Sequence, residues 1–244
     1  TCTMKYSPKI NEDLARKIAE IHPLQDEETI QGILEILYKF GHVFLREISG
    51  MDEFSFQAGG GNEAMYTNAC MIRKFHETNG ELERRNEIIT TIFSHPSNAS
   101  TPATAGFKVV TLYPDPETGY PSTESLKAAV SEHTAGLLTT NPEDTGIFNK
   151  EIDEWTKIIH EVGGLCAYDQ ANANALLGIT RAKDCGFDMC FFNLHKTFSS
   201  PHGSYGPGCG AVCVTEQLAK FLPVPVVTFD GVKYHLDYDR THSI

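Results

Sequence analysis

Seven short apolar runs alternate with helical patterns along this chain, and this alternation restricts the possible folds more than any other feature. The runs are 53–57, 88–94, 107–113, 135–140, 165–168, 188–193 and 210–214. Helical spacing of apolar residues fills 62–77, 123–132 and 151–162 between them. Strands that are apolar on both faces and alternate with helices are typical of a parallel sheet covered by helices. The sequence therefore predicts an α/β fold, a three-layer α/β/α sandwich with a mainly parallel sheet.

The pattern changes towards both ends, and this divides the chain into three parts. Residues 1–50 read as an N-terminal arm followed by helices over 11–21 and 27–47, with Gly50 as the stop signal of the second helix. Residues 51–225 hold the alternating pattern and form the predicted large domain. Residues 226–244 begin with a predicted hairpin around Asp230-Gly231. We expect the hairpin to lead towards a small C-terminal domain that this chain lacks.

Charge and cysteine content exclude several classes of protein. The 244 residues carry 20 Lys and Arg against 32 Asp and Glu, a net charge of −12, which weighs against binding to nucleic acid. No apolar run is long enough to span a bilayer, and no targeting segment is recognised. The seven scattered cysteines favour reduced thiols, and hence the cytoplasm or, in a eukaryote, the mitochondrial matrix.

No metal site is expected from the cysteine and histidine spacings. Binding by Cys185, Cys190, Cys209 and Cys213, or by His195 and His202, is an open alternative, but none of these spacings is a zinc pattern. Small buried cysteines are the simpler interpretation.

Ligands of open α/β sheets bind beyond the carboxyl ends of the strands, so the residues that follow each run are candidates. Gly60, Gly61 and Asn62 follow the first run and open a helix, which suits a phosphate, although a flexible turn reads the same way. His95 follows the second run and is suited to stacking on a flat ring or to proton transfer. A histidine in a surface loop is the alternative.

Three further strand ends carry polar side chains. Asn141 lies in a turn sequence, and Asp169 is either a helix cap or a fixed negative charge. Lys196 is either an exposed loop lysine or an amine nucleophile. Together with the glycine turn and His95, they make up a site for pyridoxal phosphate (PLP), which needs a lysine Schiff base and an acidic partner for its ring nitrogen.

The segment around Lys196 closely resembles the lysine loop of the glycine cleavage system P-proteins, which are PLP-dependent glycine decarboxylases of fold type I. The residues that carry this resemblance are 193–199, 201–203 and 206–208. It extends, in the same order, over segments 2–11, 22–25, 105–110, 140–142, 168–175, 221–227 and 236–240. The matching half of the family is its C-terminal half, or subunit 2.

The resemblance implies a role for each candidate residue. Lys196 would form the Schiff base with PLP and act as base or acid, with His195 and Thr197 beside it. Asp169 would pair with the ring nitrogen, Ala171 would contact the cofactor, and His95 would stack on the ring. Gly60, Gly61 and Asn62 would hold the phosphate, and Asn141 would approach the phenolic oxygen.

The implied reaction releases carbon dioxide from glycine and passes the aminomethyl group to the lipoyl arm of H-protein. The implied assembly is a dimer or heterotetramer with subunit 1 or with the other half of the chain.

Segments 58–63 and 94–100 depart from the family pattern. Another PLP enzyme of this fold, such as an aminotransferase, desulfurase or aldolase, therefore stays open. Because we expect the chain to be a truncated cofactor-binding portion, a non-catalytic scaffold subunit is a further alternative.

Overall fold

The computed structural model describes residues 25–200, 202, 206 and 208–244, and in this part seven strands form one sheet. The strands are β1 Glu53–Ala58, β2 Glu87–Thr91, β3 Lys108–Leu112, β4 Thr134–Thr140, β5 Leu165–Asp169, β6 Met189–Asn193 and β7 Gly210–Val214. Their order across the sheet is β1-β7-β6-β5-β4-β2-β3. Each apolar run of the sequence is one of these strands.

The sheet is mainly parallel, as predicted. The pairs β2–β3, β2–β4, β4–β5 and β5–β6 are parallel, whereas β7 is antiparallel to both of its neighbours, β6 and β1. The four central strands β4 to β7 are buried along almost their whole length. This explains why their sequences are continuous apolar runs rather than alternating ones.

Helices cover both faces of the sheet. They are α1 Gln31–Lys39, a π-helical segment Phe40–Leu45, α2 Arg46–Ser49, α3 Gly61–Thr78, α4 Ser97–Thr104, α5 Thr123–Ala129 and α6 Ile152–Glu161. Short 3-10 turns follow at Lys183–Cys185 and Glu216–Phe221. None of the helices in the described ranges has the length and apolar character that a bilayer span requires.

Two apolar clusters lie on opposite faces of the sheet and produce the three layers. On one face, Met65 and Ile72 of α3 pack with strand residues such as Phe191. On the other face, Trp155 and Ile159 of α6 pack with residues of α5 and of the π-helical segment. The α/β/α sandwich predicted from the sequence is therefore the observed fold.

Most helix boundaries agree with the sequence, but two regions do not. The helix predicted over 27–47 is interrupted by the π-helical segment Phe40–Leu45, although it ends at Gly50, whose φ of 75° is left-handed. The strand predicted over 88–94 stops at Thr91, and the following segment, interpreted as a loop, contains α4. The predicted arm and the helix over 11–21 lie outside the described residues. The three-part domain division stays a prediction.

The predicted hairpin is present as a separate two-stranded sheet. Strand β8 Val226–Phe229 pairs with β9 Tyr234–Asp237 across the turn that contains Asp230-Gly231. The side-chain amide of Gln31 binds both the backbone N–H and the carbonyl of Tyr234, at 3.0 and 2.7 Å. This contact fixes the hairpin to the start of α1.

An ion pair between His160 and Asp188 is expected to make stability depend on pH. His160 Nε2 lies 2.8 Å from Asp188 Oδ2, which also accepts the Cys166 backbone N–H at 2.7 Å. The hydrogen bond with Asp188 raises the pKa of His160 above its ordinary value of about 6.5. The stabilisation is therefore complete below about pH 6.5 and is lost as the pH rises through the raised pKa of the folded state.

Urea unfolding of the wild type and of His160→Gln at several pH values tests this expectation. Glutamine retains a donor for Asp188 but carries no charge. The wild type should be the more stable of the two at pH 5.5, and the difference should shrink by pH 8.5. A difference in the free energy of unfolding that stays constant across this range contradicts the expectation.

Candidate active site

The carboxyl ends of the central strands meet at one edge of the sheet. Thr140 at the end of β4 pairs with Asp169 at the end of β5, and Asp169 pairs with Phe191 of β6. The loops that follow these strands are therefore neighbours, although they are far apart in the sequence. All the candidate residues predicted from the sequence lie in or beside these loops or at the nearby start of α3.

Asp169 lies at the centre of this edge and is 4 % exposed. Burial raises the pKa of its carboxyl group, while the Ala171 backbone N–H, the charge of Lys196 and the Asn98 side chain act in the opposite direction. The Ala171 N–H donates to Asp169 Oδ1 at 3.0 Å. His95 follows β2 and Lys196 lies in the turn after β6, so both residues lie at the same edge of the sheet as Asp169.

The ring of His95 is exposed and held from one side. Its Nδ1 accepts the Ser97 backbone N–H at 3.1 Å and lies 2.8 Å from Ser97 Oγ. A backbone N–H can only donate, so Nδ1 carries no proton and the proton of the neutral ring lies on Nε2. The exposed face and the Nε2–H group remain available to a ligand.

Asn98 belongs to this site and was not found from the sequence. It is fully buried, its Nδ2 donates to Thr140 Oγ1 at 2.9 Å, and its Oδ1 has no partner among the residues that the structure describes. A buried amide oxygen without a donor is costly unless a ligand supplies one. The available signal was its position three residues after His95, because the Asn98 backbone N–H donates to the His95 carbonyl at 2.8 Å and one turn therefore places both side chains.

The glycine turn before α3 forms a cradle for an anion. The first N–H groups of this 18-residue helix have no acceptors within the helix, and the helix dipole favours negative charge there. A Cβ at Gly61 would lie 2.7 Å from Nδ2 of Asn193, so a larger residue does not fit. Asn193 itself is 4 % exposed and its Oδ1 has no partner in the described part of the chain, which adds an unpredicted polar group to the cradle.

Glu63 closes the other side of the same turn. Its Oε2 accepts the Gly59 backbone N–H at 2.6 Å, in the manner of a capping box. The side chain of Asn62 is exposed next to it. Gly60, Gly61 and Asn62 thus lie together at the helix start, as the sequence indicated, and their contact with a phosphate stays a prediction.

Lys196 lies in a turn directly after β6. Its backbone N–H donates to the Asn193 carbonyl at 3.0 Å, and its side chain is exposed. Thr197 Oγ1 accepts the Ala173 backbone N–H at 2.8 Å, which ties the lysine turn to the loop after Asp169. The hydroxyl of Thr197 therefore has a structural partner in the chain.

His195 contacts a different part of the chain from Thr197. Its Nδ1 accepts the Cys209 backbone N–H at 3.3 Å, and its ring meets the His202 ring edge-on with centroids 4.1 Å apart. Burial lowers the pKa of His195, and the charges of His202 and Lys196 act in the same direction. A proton-transfer role for His195 stays a prediction.

Asn141 is at the expected edge, but its side chain is already engaged. Its Oδ1 accepts the Asn149 backbone N–H at 2.8 Å and its Nδ2 donates to the Asn149 carbonyl at 3.1 Å. Nδ2 keeps one further N–H group. The contact predicted between Asn141 and the phenolic oxygen of the cofactor depends on that single group and stays a prediction.

One grouping of potential metal ligands occurs within the described ranges, and it lies away from the candidate site. His160, Cys166 and Asp188 bring one ligand atom each to within 4.8 Å of one another, near the amino-terminal ends of β5 and β6. The cysteines and histidines considered from the sequence are not part of it. The expectation that the chain binds no metal stays a prediction.

Comparison with known proteins identifies relatives over the whole chain. The family model "Aminotransferase class-V" matches residues 55–233. A "Probable glycine dehydrogenase (decarboxylating) subunit 2" of Pyrococcus abyssi is 49 % identical over 100 % of this chain and 49 % of its own length. The protein of the same name from Halalkalibacterium halodurans is 47 % identical, over 100 % of this chain and 50 % of its own length. The chain thus spans about half the length of the curated relatives it matches.

A solved structure shows the same fold. An aromatic aminotransferase from Pyrococcus horikoshii superposes with a TM-score of 0.66 at 16 % identity, over 90 % of this chain and 57 % of its own. This likeness supports the fold type I architecture predicted from the sequence. Family and fold together indicate pyridoxal phosphate as the cofactor.

Proposed function

Because the chain belongs to the class-V aminotransferase family, we propose that it is the cofactor-binding part of a PLP-dependent glycine decarboxylase. The enzyme would release the carboxylate of glycine as carbon dioxide and pass the aminomethyl group to the lipoyl arm of H-protein. The observation that carries this proposal is that Asp169 ends β5 while His95 and Lys196 follow β2 and β6, so that all three lie at one edge of the sheet. Identity of 49 % to a protein named as a glycine dehydrogenase supports the choice of substrate.

The residues present fit PLP. The helix N–H groups and the Asn193 amide at the start of α3 would bind the phosphate of the cofactor. A protonated ring nitrogen finds the buried Asp169 carboxylate, and the unpartnered Oδ1 of Asn98 offers a further acceptor. PLP, when bound, supplies a ring that withdraws electrons from the carbon that loses its carboxylate.

The chain's own residues would do the remaining work. Asp169 would hold a proton on the ring nitrogen, because an ionised carboxylate in a buried place requires a cationic partner. The Lys196 amine would attach the cofactor and later accept or return a proton near the substrate carbon. The His95 ring would cover one face of the cofactor ring. The hydrogen bond from the Ser97 N–H to Nδ1 would hold the His95 ring with its Nε2–H group directed away from Ser97.

The partners and location are also part of the proposal. Since the chain covers 49 % of its Pyrococcus abyssi relative, the rest of that length or a first subunit would complete the enzyme. A dimer or heterotetramer, lipoylated H-protein as the acceptor, and a cytoplasmic setting complete the proposal. The word "subunit" in the names of the relatives supports an assembly of more than one chain.

Borohydride reduction in the presence of PLP tests the cofactor and the nucleophile together. Peptide mapping should find a pyridoxyl group on Lys196. Carboxyl-labelled glycine, added with lipoylated H-protein and the complementary P-protein portion, should then release labelled carbon dioxide. Formation of glyoxylate without release of carbon dioxide would indicate an aminotransferase reaction, and absence of the pyridoxyl group would exclude PLP catalysis by this chain.

Replacing Asn98 by alanine is expected to weaken PLP binding about ten- to hundredfold. A hydrogen bond to a charged group contributes about 1.5–3 kcal/mol, and 1.4 kcal/mol is about tenfold in affinity. Without the Asn98 amide, the pKa of Asp169 rises further, and a neutral carboxyl group pairs poorly with a protonated ring nitrogen. Spectroscopic titration with PLP measures the affinity.

Asn79→Ala is the matched control for this prediction, because Asn79 is exposed at the end of α3 and away from the site. Its PLP affinity should equal that of the wild type. Equal affinities of Asn98→Ala and the wild type would show that Asn98 does not support Asp169.

A further inference from the structure

The π-helical segment Phe40–Leu45 is the most unusual backbone feature of the described chain, and the proposed chemistry does not use it. Its hydrogen bonds reach five residues back, as in the bond from the Arg46 N–H to the Gly41 carbonyl. Such wide turns are rare in proteins and occur frequently at functional sites. The contacts of this segment therefore merit a functional explanation.

The segment is fixed against the sheet at one point. Gly41 is buried, and a Cβ built there would lie 3.0 Å from the ring of Phe54 in β1. This close approach leaves no room for the segment to move towards β1. The π-helical segment is therefore packed tightly against β1 at Gly41.

Two phenylalanines of the segment hold a residue of the lysine turn. The rings of Phe40 and Phe44 stack with centroids 5.2 Å apart, and both meet Phe198 edge-on, at 6.2 and 5.7 Å. Phe192 of β6 meets Phe198 edge-on from another side, at 6.0 Å. Edge-to-face geometry is favourable at these distances. We call Phe40, Phe44 and Phe192 the aromatic clamp.

Phe198 is only two residues from Lys196, whose own side chain is exposed. No packing of the lysine side chain fixes the amine, so the backbone of the turn determines where it lies. That backbone is held at Thr197 by the Ala173 N–H and at Phe198 by the aromatic clamp. We propose that Phe198, held by the π-helical segment, is a positioning residue that directs the Lys196 amine towards the cofactor.

This proposal rests on the proposed function, since it concerns the amine that would attach PLP. A positioning role for the aromatic clamp and a role in core packing alone predict different effects of substitutions. If the clamp only stabilises the fold, any aromatic residue of the same cluster should matter equally. If it positions the turn, only residues that touch Phe198 should alter the turn and the reactivity of Lys196.

Phe44→Leu and Phe56→Leu make a matched pair of variants. Phe44 touches Phe198, is 42 % exposed and is more than 150 residues from Lys196 in sequence, whereas Phe56 has a ring contact with Phe40 at 5.9 Å. Two readouts apply to each variant. Amide hydrogen exchange of peptide 193–200 needs no cofactor, and borohydride labelling at a limiting PLP concentration measures attachment to Lys196.

Phe44→Leu should raise exchange in 193–200 and lower Lys196 labelling about two- to tenfold, the range expected for one aromatic pair. Phe56→Leu should leave both unchanged. Phe44→Tyr should leave both the exchange and the labelling at the wild-type level, because Phe44 is 42 % exposed and a tyrosine there keeps the aromatic ring. Phe198→Leu should reproduce the effect of Phe44→Leu.

Equal behaviour of Phe44→Leu and Phe56→Leu in both readouts overturns the proposal. A wild-type chain that is never labelled at Lys196 overturns the proposed function instead, and the role in directing the amine fails with it. The exchange readout keeps the two failures apart, because it reports the link between clamp and turn without PLP.

Discussion

Lys196→Ala is expected to lose all borohydride-stable attachment of PLP while keeping weaker, reversible binding. Among the described residues at this edge of the sheet, Lys196 carries the amine that would form a Schiff base with the aldehyde of the cofactor. Asp169 and the anion cradle at the start of α3 remain intact in this variant. The reversible complex should therefore show the absorbance of a free pyridoxal aldehyde and no pyridoxyl peptide.

A comparison of Lys196→Ala with Lys196→Arg separates the loss of the covalent bond to PLP from the loss of the positive charge at this position. The positive amine is one of the groups that hold down the pKa of Asp169, so its removal should raise that pKa further. Reversible PLP binding by Lys196→Ala should thus decline at a higher pH than in Lys196→Arg as the solution is acidified. Arginine keeps the charge but forms no Schiff base, since its guanidinium does not deprotonate in proteins.

Lys157→Ala serves as the control for these measurements. Lys157 is an exposed lysine on α6 that pairs with Asp153. Its replacement should leave the pyridoxyl group on Lys196 unchanged. A pyridoxyl group that persists in Lys196→Ala at wild-type level, on another lysine, would show that Lys196 is not the nucleophile.

Trp155→Ala is expected to destabilise the fold by about 3–5 kcal/mol, the largest stability effect we predict. Trp155 is 2 % exposed and lies within the cluster on the α6 face of the sheet. Its Nε1 donates to Thr123 Oγ1 at 2.9 Å, which joins α6 to α5. Since domains are stable by only about 5–15 kcal/mol, this loss is a large share of the total.

Urea unfolding distinguishes the packing of Trp155 from its hydrogen bond. Trp155→Phe keeps most of the buried ring and should cost less than Trp155→Ala. Ile158→Ala, on the same helix but only half-buried, should cost less again. A loss below about 1 kcal/mol for Trp155→Ala would mean that this face of the core repacks around the gap.

Strands and most helices were predictable because burial dictates their sequence pattern. Runs such as 135–138 and 189–192 are apolar at consecutive positions, since helices cover both faces of β4 and β6. Gly50 marked a helix end because the left-handed conformation there suits glycine. The direction of β7 was not predictable, because an apolar run looks the same in either orientation.

Helix α4 could not be predicted from local sequence. Its residues are rich in Ser, Asn and Thr, which favour turns, and Pro102 lies inside it. The buried Thr101 and Pro102 show that packing against the rest of the fold stabilises this helix. The π-helical segment was equally hidden, since its apolar residues continue the helical spacing without a break.

The candidate site was predictable in its positions but less so in its contacts. The rule of strand ends predicted that Asp169, His95 and Lys196 lie at one edge of the sheet, and the structure places them there, while their roles stay predictions. The buried amides of Asn98 and Asn193 were missed, because burial of a polar side chain depends on tertiary packing. Asn141 shows the reverse case, since its amide is engaged by Asn149, a local partner that the strand-end rule does not consider.

The place of β1 in the sheet has a consequence for the order of folding. This edge strand carries the glycine turn, yet its only strand neighbour within the described residues is β7, so that Phe54 pairs with Cys213, roughly 160 residues away in sequence. Contacts between such distant residues form slowly, because closing a long loop costs entropy before any pairing compensates for it. The anion cradle and the lysine turn therefore come together only when both ends of the domain have met. A chain in which β1 has not yet paired would already contain Asp169 and its neighbours but would lack the anion cradle.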